Sequence, residues 1–183
     1  MKTLIIFLFV VATTTFSQAQ EVTRLGEVKV GFAPINTEII KTPNGFTFVI
    51  DKVRSIEFTS NPIGFMYDNF DIENFIAALD NDRYSNYEVS LECSRGSMVA
   101  FFDTKGNLMS THQNFKDVLL PLAQRREVYK NYKGWTMTKN KYRAKTKGKV
   151  ITDETFKITL QKGDRKQRIK IAGNNQGISL ASN

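Results

Sequence analysis

The stretch Lys139–Lys149 reads KNKYRAKTKGK, and every second residue in it is basic. Successive side chains of a β-strand point to opposite faces of a sheet, so an extended conformation places the positive charges on one face at intervals of roughly 6.6 Å. Lysine and arginine are almost never fully buried unless they are paired. The stretch therefore predicts a β-strand that presents an exposed cationic sheet face.

Trp135 and Met137 precede this stretch and share the odd numbering of its basic residues. A straight strand would place both on the cationic face. A β-bulge near Asn140 would return them to the core side, and this is the favoured interpretation because bulges are a common device. The alternative leaves Trp135 exposed among the cations as an aromatic residue of a binding surface.

A hairpin that follows extends the cationic face. Apolar residues alternate on both sides of the turn Lys162-Gly163-Asp164. Ile169 and Ile171 are predicted to point to the core, so Arg168 and Lys170 must point outward. The predicted binding face then consists of seven basic residues: Lys139, Lys141, Arg143, Lys145, Lys147, Arg168 and Lys170.

Alternating apolar residues and turn signals predict further strands towards the amino terminus. The turns are Pro43-Asn44-Gly45, Ser94-Arg95-Gly96 and Asp103-Thr104-Lys105-Gly106-Asn107. The extended segments are predicted at Leu25–Phe32, Phe46–Phe58, Tyr87–Cys93, Met98–Phe102 and from Leu108 towards His112. Trp135, Phe156, Ile158 and Ile169 are predicted to be buried.

Two helices are predicted, and Asn61-Pro62-Ile63-Gly64 marks a loop or a helix start. The first helix covers Asp71–Leu79, because apolar residues recur at helical spacing behind an aspartate cap. The second covers Pro121–Tyr132, with proline at its first position and Gly134 as a stop. Its predicted core side chains are Val118, Leu122, Tyr129 and Tyr132.

Charge divides the chain. Residues 20–124 contain nine Lys and Arg against fourteen Asp and Glu, whereas residues 125–183 contain sixteen against four. Such polarity within one small domain produces a strong dipole and one adhesive face.

The amino-terminal stretch MKTLIIFLFVVATTTFSQAQ has the form of a secretory signal peptide. Its apolar run, Leu4–Ala12, is short of the roughly 20 residues that cross a bilayer, so no transmembrane segment is predicted. Cleavage is expected after Ala19, and the mature protein is expected in the periplasm or secreted. Residues 20–173 then form a single domain, and residues 174–183 form a frayed tail.

No catalytic, metal-binding or phosphate-binding motif is found, so the sequence predicts no enzyme and no cofactor. The one cysteine, Cys93, is expected to pack in the core, and the one histidine, His112, stands alone. Acidic residues cluster in one segment, which is interpreted as a solvated helix surface in preference to a cation site. The members of this segment are Asp68, Asp71, Glu73, Asp80 and Asp82. An enzyme would have to bring together in one pocket two of Asp68, Asp71, Asp80, Asp82 and Glu88.

The segment from Tyr87 to Ile171 resembles the PepSY-like, beta-lactamase-inhibitor-protein-like domains of small exported proteins of Bacteroidetes type. The matching motifs are Phe101-Phe102-Asp103 with Gly106, Leu120-Pro121, Tyr132-Lys133-Gly134-Trp135, and the hairpin Phe156–Lys170. Residues 87–173 carry the better match, and residues 20–86 match only as a degenerate partner repeat. The resemblance implies an α+β fold in which one or two helices pack on one face of an antiparallel sheet.

The resemblance implies no enzymatic activity, since members with known roles bind or inhibit other proteins. The chain is therefore expected to be an exported, non-enzymatic binding or inhibitor-like module. Its basic face would contact an acidic protein or an anionic envelope component, and export argues against an intracellular nucleic acid. The alternatives are an uncharacterised enzyme that uses the acidic segment, and an envelope structural protein whose lysines only keep an exposed strand soluble.

Overall fold

The computed structural model describes residues 24–25, 38–42, 45–77, 85–173 and 178–180, with side chains described for residues 46–77 and 85–173. Among these residues, ten strands form one sheet, and their order in space follows their order in the chain. These strands, β1 to β10, are Arg24–Leu25, Glu38–Thr42, Gly45–Val49, Asn86–Cys93, Gly96–Asp103, Leu108–Lys116, Thr136–Lys147, Val150–Lys162, Arg165–Ala172 and Ile178–Leu180. The helices in the described residues, α1 to α4, are Ser55–Ser60, Pro62–Asn69, Ile72–Ala77 and Leu122–Asn131.

The class is α+β with a mostly antiparallel sheet, as predicted. One junction differs, because β3 and β4 run parallel, with Phe46 opposite Val89 and Phe48 opposite Leu91. Parallel neighbours need a crossover connection, whereas antiparallel strands can be joined by a tight turn. Helices α1, α2 and α3 lie within this crossover.

The predicted strand Phe46–Phe58 is wrong in its second half. β3 ends at Val49, and Phe58 lies in α1. The Arg54 backbone N–H donates to Asp51 Oδ1 at 2.9 Å, and Ser55 Oγ donates to the Asp51 carbonyl at 3.1 Å. These local hydrogen bonds replace strand pairing and turn the chain into a helix. β1 covers only the start of the predicted strand Leu25–Phe32, whose remainder lies outside the described residues.

Side-chain caps place the next two helices. Asn61 Oδ1 accepts a hydrogen bond from the Gly64 backbone at 3.1 Å, so the segment at Pro62 is a helix start. Asp71 Oδ1 accepts one from the Asn74 backbone at 3.0 Å and caps α3 as predicted. Residues 78 and 79 of the predicted first helix lie outside the described residues.

The helix predicted at Pro121–Tyr132 is confirmed as α4, with Gly134 beyond it at φ +78°. Of the predicted core side chains, Val118 is buried and Tyr132 is half-buried against the core, whereas Leu122 and Tyr129 are exposed, so the prediction is wrong for these two. The buried side follows the i, i+4 spacing through Val128 to the half-buried Tyr132. No helix among the described residues combines the length and hydropathy of a membrane span.

The core is one cluster of buried apolar side chains from strands and helices. The ring of Phe48 in β3 lies 5.0 Å from that of Phe70, which follows α2, and 6.2 Å from that of Phe75 in α3. The ring of Phe58 in α1 lies 5.3 Å from that of Phe115 in β6. Edge-to-face aromatic contacts of this kind join the crossover helices to the sheet. Of the residues predicted to be buried, Phe156, Ile158 and Ile169 are buried and Trp135 is half-buried.

The hairpins of the second half follow the prediction closely. The turn at Arg95 joins β4 to β5, and Asp103–Asn107 joins β5 to β6, which continues past His112 to Lys116. At the carboxyl terminus, Ile178–Leu180 pairs with β9 as β10, so the predicted frayed tail does not describe these three residues. The other residues of 174–183 lie outside the described part of the chain.

Candidate binding face

The five basic residues Lys139, Lys141, Arg143, Lys145 and Lys147, here called the basic ladder, are all exposed on β7. The residues that alternate with them point into the molecule: Asn140, Ala144 and Thr146 are buried and Tyr142 is half-buried. The alternation predicted from the sequence is therefore present. We call the side of β6–β9 that carries the ladder the outward face.

A β-bulge separates the ladder from the apolar start of β7. The pairing with β8 shifts by one residue between Met137 and Lys139, which leaves Thr138 as the extra residue. Trp135 and Met137 are half-buried and pack against the core. The predicted bulge is confirmed, and Trp135 is not an aromatic residue of the outward face.

Lys149 does not continue the ladder, although it is odd-numbered like the ladder residues. β7 ends at Lys147, and Lys149 lies in the turn to β8. Its ammonium group lies over the ring of Tyr67 in α2, 4.0 Å from the ring centroid. This cation–π contact takes the sixth charge to a helix and away from the outward face.

Arg168 and Lys170 are exposed, whereas Ile169 and Ile171 between and after them are buried. Both basic residues therefore lie on the outward face, as predicted. They are not on the strand next to the ladder, because β8 lies between β7 and β9. The intervening strand also carries a cation. In the strand register, Lys157 of β8 lies opposite Lys141 of β7 on one side and opposite Lys170 of β9 on the other.

The register also places Lys116 of β6 directly opposite Lys141. Lys116, Lys141, Lys157 and Lys170 thus stand at one level on four adjacent strands, and all four are exposed. We call these residues the lysine row. Strand spacing puts about 4.8 Å between neighbouring members, where like charges are destabilising.

Sequence reasoning missed Lys116 and Lys157, although a signal for each was present. Lys157 lies between Phe156 and Ile158, whose inward direction was predicted, so its outward direction follows from the alternation. Lys116 follows Phe115, but the prediction ended this strand near His112. Their alignment with Lys141 depends on strand order and register, which no single segment specifies.

The outward face is strongly cationic. Asp153, opposite Lys145, is its one carboxylate among the described strand positions. Within the described residues, no ion pair involves a member of the basic ladder. The ten cations are Lys116, Lys139, Lys141, Arg143, Lys145, Lys147, Lys157, Lys166, Arg168 and Lys170.

The inward side of β7 is polar but hydrogen-bonded. Asn140 Nδ2 donates to the Val118 carbonyl at 2.8 Å, and the Val118 N–H donates to Asn140 Oδ1 at 3.1 Å. The Asn140 carbonyl also accepts from the Asp117 N–H at 2.9 Å. These bonds hold the connection from β6 to α4 against β7, so Asn140 has a structural role.

Tyr142 continues this inward side. Its hydroxyl donates to Glu154 Oε1 at 3.1 Å, and its ring packs on Phe156 with 4.8 Å between centroids. Burial raises the pKa of Tyr142 well above its usual range, and the charge of Glu154 and the hydrogen bond to it act in the same direction. Tyr142 is therefore a neutral hydrogen-bond donor at physiological pH.

On the side of the sheet that carries the ladder, the chemical character changes towards β4 and β5. Glu88 and Glu92 of β4 share it with Val99 and Phe101 of β5, and the two apolar residues are half-buried. The Phe101 ring lies 5.5 Å from that of His112, edge to face. This region offers apolar and acidic groups, whereas β6–β9 offers cations.

The carboxylates of the alternative enzyme hypothesis are not brought together among the described residues. Asp68, Asp71 and Glu73 are exposed on or beside the helices, and Asp71 is occupied as the α3 cap. Glu88 projects from the sheet face opposite the inward Tyr87. Asp80 and Asp82 lie outside the described residues.

The other candidate groups have local contacts. Cys93 is half-buried, packs against the core, and its Sγ accepts from the Arg95 backbone at 3.4 Å. His112 is exposed on β6. In the described part of the chain, no cluster of three His, Cys, Asp or Glu side chains has the spacing to hold a metal ion.

Comparison with known proteins gives no relative: no family model matches the sequence, and no curated protein or solved structure is significantly similar to it.

Proposed function

We propose that this protein is an exported, non-enzymatic binding module whose basic sheet face contacts an acidic protein or an anionic envelope component. One observation carries the proposal. The seven basic residues selected from the sequence are exposed on a single outward face, where ten cations stand with one carboxylate. A face with this balance of charge attracts anions.

Many weak contacts would make up the binding energy. An exposed ion pair contributes about 0.2 to 1 kcal/mol, so no single lysine is decisive. Several such pairs formed together give useful affinity, and screening makes that affinity fall steeply with salt. Bound anions would also relieve the repulsion between lysines that stand opposite one another.

The architecture proposed with this function places the helices on the inward face only. The contact of Phe58 with Phe115 and the hydrogen bonds of Asn140 to Val118 support this arrangement, since both involve inward residues. The outward face then stays open to a macromolecule. The PepSY-like, inhibitor-like resemblance implies this arrangement. The division of the domain into two degenerate repeats is also part of the proposal.

Export is the remaining part of the proposal and rests on the signal-peptide pattern of residues 1–19. In the periplasm or outside the cell, the anions that the protein meets are envelope polymers and acidic proteins. Intracellular nucleic acid is not among them.

The test reverses the centre of the ladder with Lys141→Glu, Arg143→Glu and Lys145→Glu. A matched control makes the same charge change at Lys52, Lys105 and Lys133, which are exposed outside the strands of the outward face. On an anionic matrix, wild type and control should be retained, and the ladder variant should pass through. A loss of about 100-fold in affinity corresponds to roughly 1 kcal/mol for each reversed charge.

The same three proteins should be used as bait with periplasmic extract. Loss of the wild-type partner from the ladder variant, but not from the control, supports the ladder as its contact surface. Equal retention and equal partner recovery for both variants would instead identify the ladder as a solubility device.

A further inference from the structure

The outward face of β6–β9 contains almost no apolar group. Of its described strand positions, Val150, opposite Lys147 at the start of β8, and Ala172, at the end of β9, are the aliphatic residues, and no aromatic residue is present except the imidazole of His112. The nearest aromatic side chains of β7 and β8, Tyr142 and Phe156, point inward. Apart from Val150 and Ala172, which lie at strand ends, the face therefore offers charged and polar groups across four strands.

A surface of this composition lacks the apolar anchors that an interface with a folded protein usually has. Protein interfaces are stabilised by buried aromatic and arginine anchors surrounded by a polar rim. Here Val99 and Phe101 could serve as anchors, but they lie on β5, beside the acidic residues Glu88 and Glu92. The cations and the apolar anchors occupy different parts of the sheet.

The type of cation also argues against a folded protein partner. Eight of the ten cations are lysines, which act as mobile point charges, and only Arg143 and Arg168 have the planar fork that binds phosphate or carboxylate bidentately. Single-stranded nucleic acids also use aromatic platforms for their bases, and the face has none. Diffuse charge of this kind suits a flexible polyanion without bases.

The lysine row gives the polyanion a path. Its four members cross β6 to β9 at one level, over about 14 Å from the strand spacing. The basic ladder meets this row at Lys141 and extends along β7. Lys141 is thus the point where both lines of charge cross.

We propose that the outward face binds an extended acidic polysaccharide, and that Lys116 and Lys157 of the lysine row are binding residues together with the ladder. This inference rests on the proposed function and narrows its partner from an acidic protein or anionic envelope component to a carboxylated or sulfated glycan chain. Lys157 has the central position, because it links the ladder to Lys170.

The test measures binding of the mature chain to fluorescent polygalacturonate and to heparin at low and moderate salt. The row variant is Lys116→Gln with Lys157→Gln, and the matched control is Lys52→Gln with Lys133→Gln. The row variant should bind roughly 2- to 30-fold more weakly, and the control less than 2-fold, because two exposed contacts are lost only in the row variant. The slope of log affinity against log salt should also fall by roughly one to two in the row variant.

Chain length and competing polymers complete the test. Polygalacturonate chains long enough to cross four strands should bind more tightly than a disaccharide, and single-stranded DNA of equal charge should bind no better than the glycan. Tighter binding of the DNA would assign the face to a nucleic acid and overturn the glycan.

Two other results separate this inference from the proposed function. If the ladder reversal abolishes glycan binding but the row variant equals its control, the row assignment is wrong while the basic face remains the binding site. If the wild-type protein binds neither glycan but binds an acidic protein that the ladder variant does not bind, the assignment to a polysaccharide is wrong and the proposed function stands.

Discussion

Asn140 and Lys141 are neighbours on β7, yet they belong to two different surfaces. Asn140 is 8% exposed and exchanges two side-chain hydrogen bonds with Val118. Lys141 is exposed and stands opposite two other lysines. The inward side of the strand is rich in satisfied polar contacts, and the outward side repeats one charge.

The two sides of the strand therefore differ in what they contribute to stability. Thr111 and Thr146, both buried on the inward side, share a hydroxyl hydrogen bond of 2.9 Å between β6 and β7. Buried polar groups without partners are costly, so such bonds specify one packing arrangement. Repeated like charges on the outward side cost stability, so the outward side does not stabilise the fold as the inward side does.

The largest expected effect comes from breaking the inward side. Asn140→Ala should lower the free energy of unfolding by about 2 to 4 kcal/mol, because it leaves the buried N–H and carbonyl of Val118 without partners. Lys141→Ala, one residue away, should change it by less than about 0.5 kcal/mol. Urea unfolding followed by circular dichroism measures both. Similar losses for the two variants would contradict the separation of the two sides.

A smaller effect is expected at Tyr142. Tyr142→Phe should cost about 1 kcal/mol at neutral pH, since it removes the hydrogen bond to Glu154. The pKa of Tyr142 is raised in the folded state, so the contribution of its neutral form is fully present below its unfolded value of 10.0 and is lost as pH rises above that value. Wild type should therefore lose stability relative to Tyr142→Phe above pH 10.

The measurement is a series of urea unfolding curves for both proteins from neutral to alkaline pH. Lysine titration affects both proteins alike, so their difference isolates Tyr142. A difference that stays constant up to the alkaline limit would show that the phenol titrates alike in the folded and unfolded states.

The smallest expected effect on stability is a gain instead of a loss, and it tests the outward side directly. Lys157→Glu places a negative charge between Lys141 and Lys170 and should stabilise the fold by about 0.2 to 1 kcal/mol at low salt. The gain should shrink above about 0.1 M salt, where the Debye length falls to roughly 10 Å. Polyanion binding should weaken in the same variant.

Lys157→Gln serves as the intermediate case, since it removes the repulsion without adding an attraction. Its stability should lie between those of wild type and Lys157→Glu at low salt. Destabilisation by both substitutions would mean that Lys157 supports the fold, and the interpretation of the lysine row as a functional surface would fail.

Much of the candidate site follows from local sequence. The alternation within Lys139–Lys147 requires only the two-residue repeat of a strand, and Ile169 and Ile171 fix the direction of Arg168 and Lys170 in the same way. The bulge was also predictable, because Trp135 and Met137 conflict with a straight strand. Local patterns failed at Phe58, where the hydrogen bonds of Asp51 turn an apolar segment into a helix.

The sequence by itself determined which side chains face outward on each strand, because side-chain alternation is a property of a single extended segment. Only the tertiary structure decided that β8 lies between β7 and β9, that β3 and β4 run parallel, and that four lysines share one level. Strand order and register depend on turns, a bulge and core contacts between distant segments. The lysine row is therefore a product of pairing, whereas the basic ladder is a product of sequence.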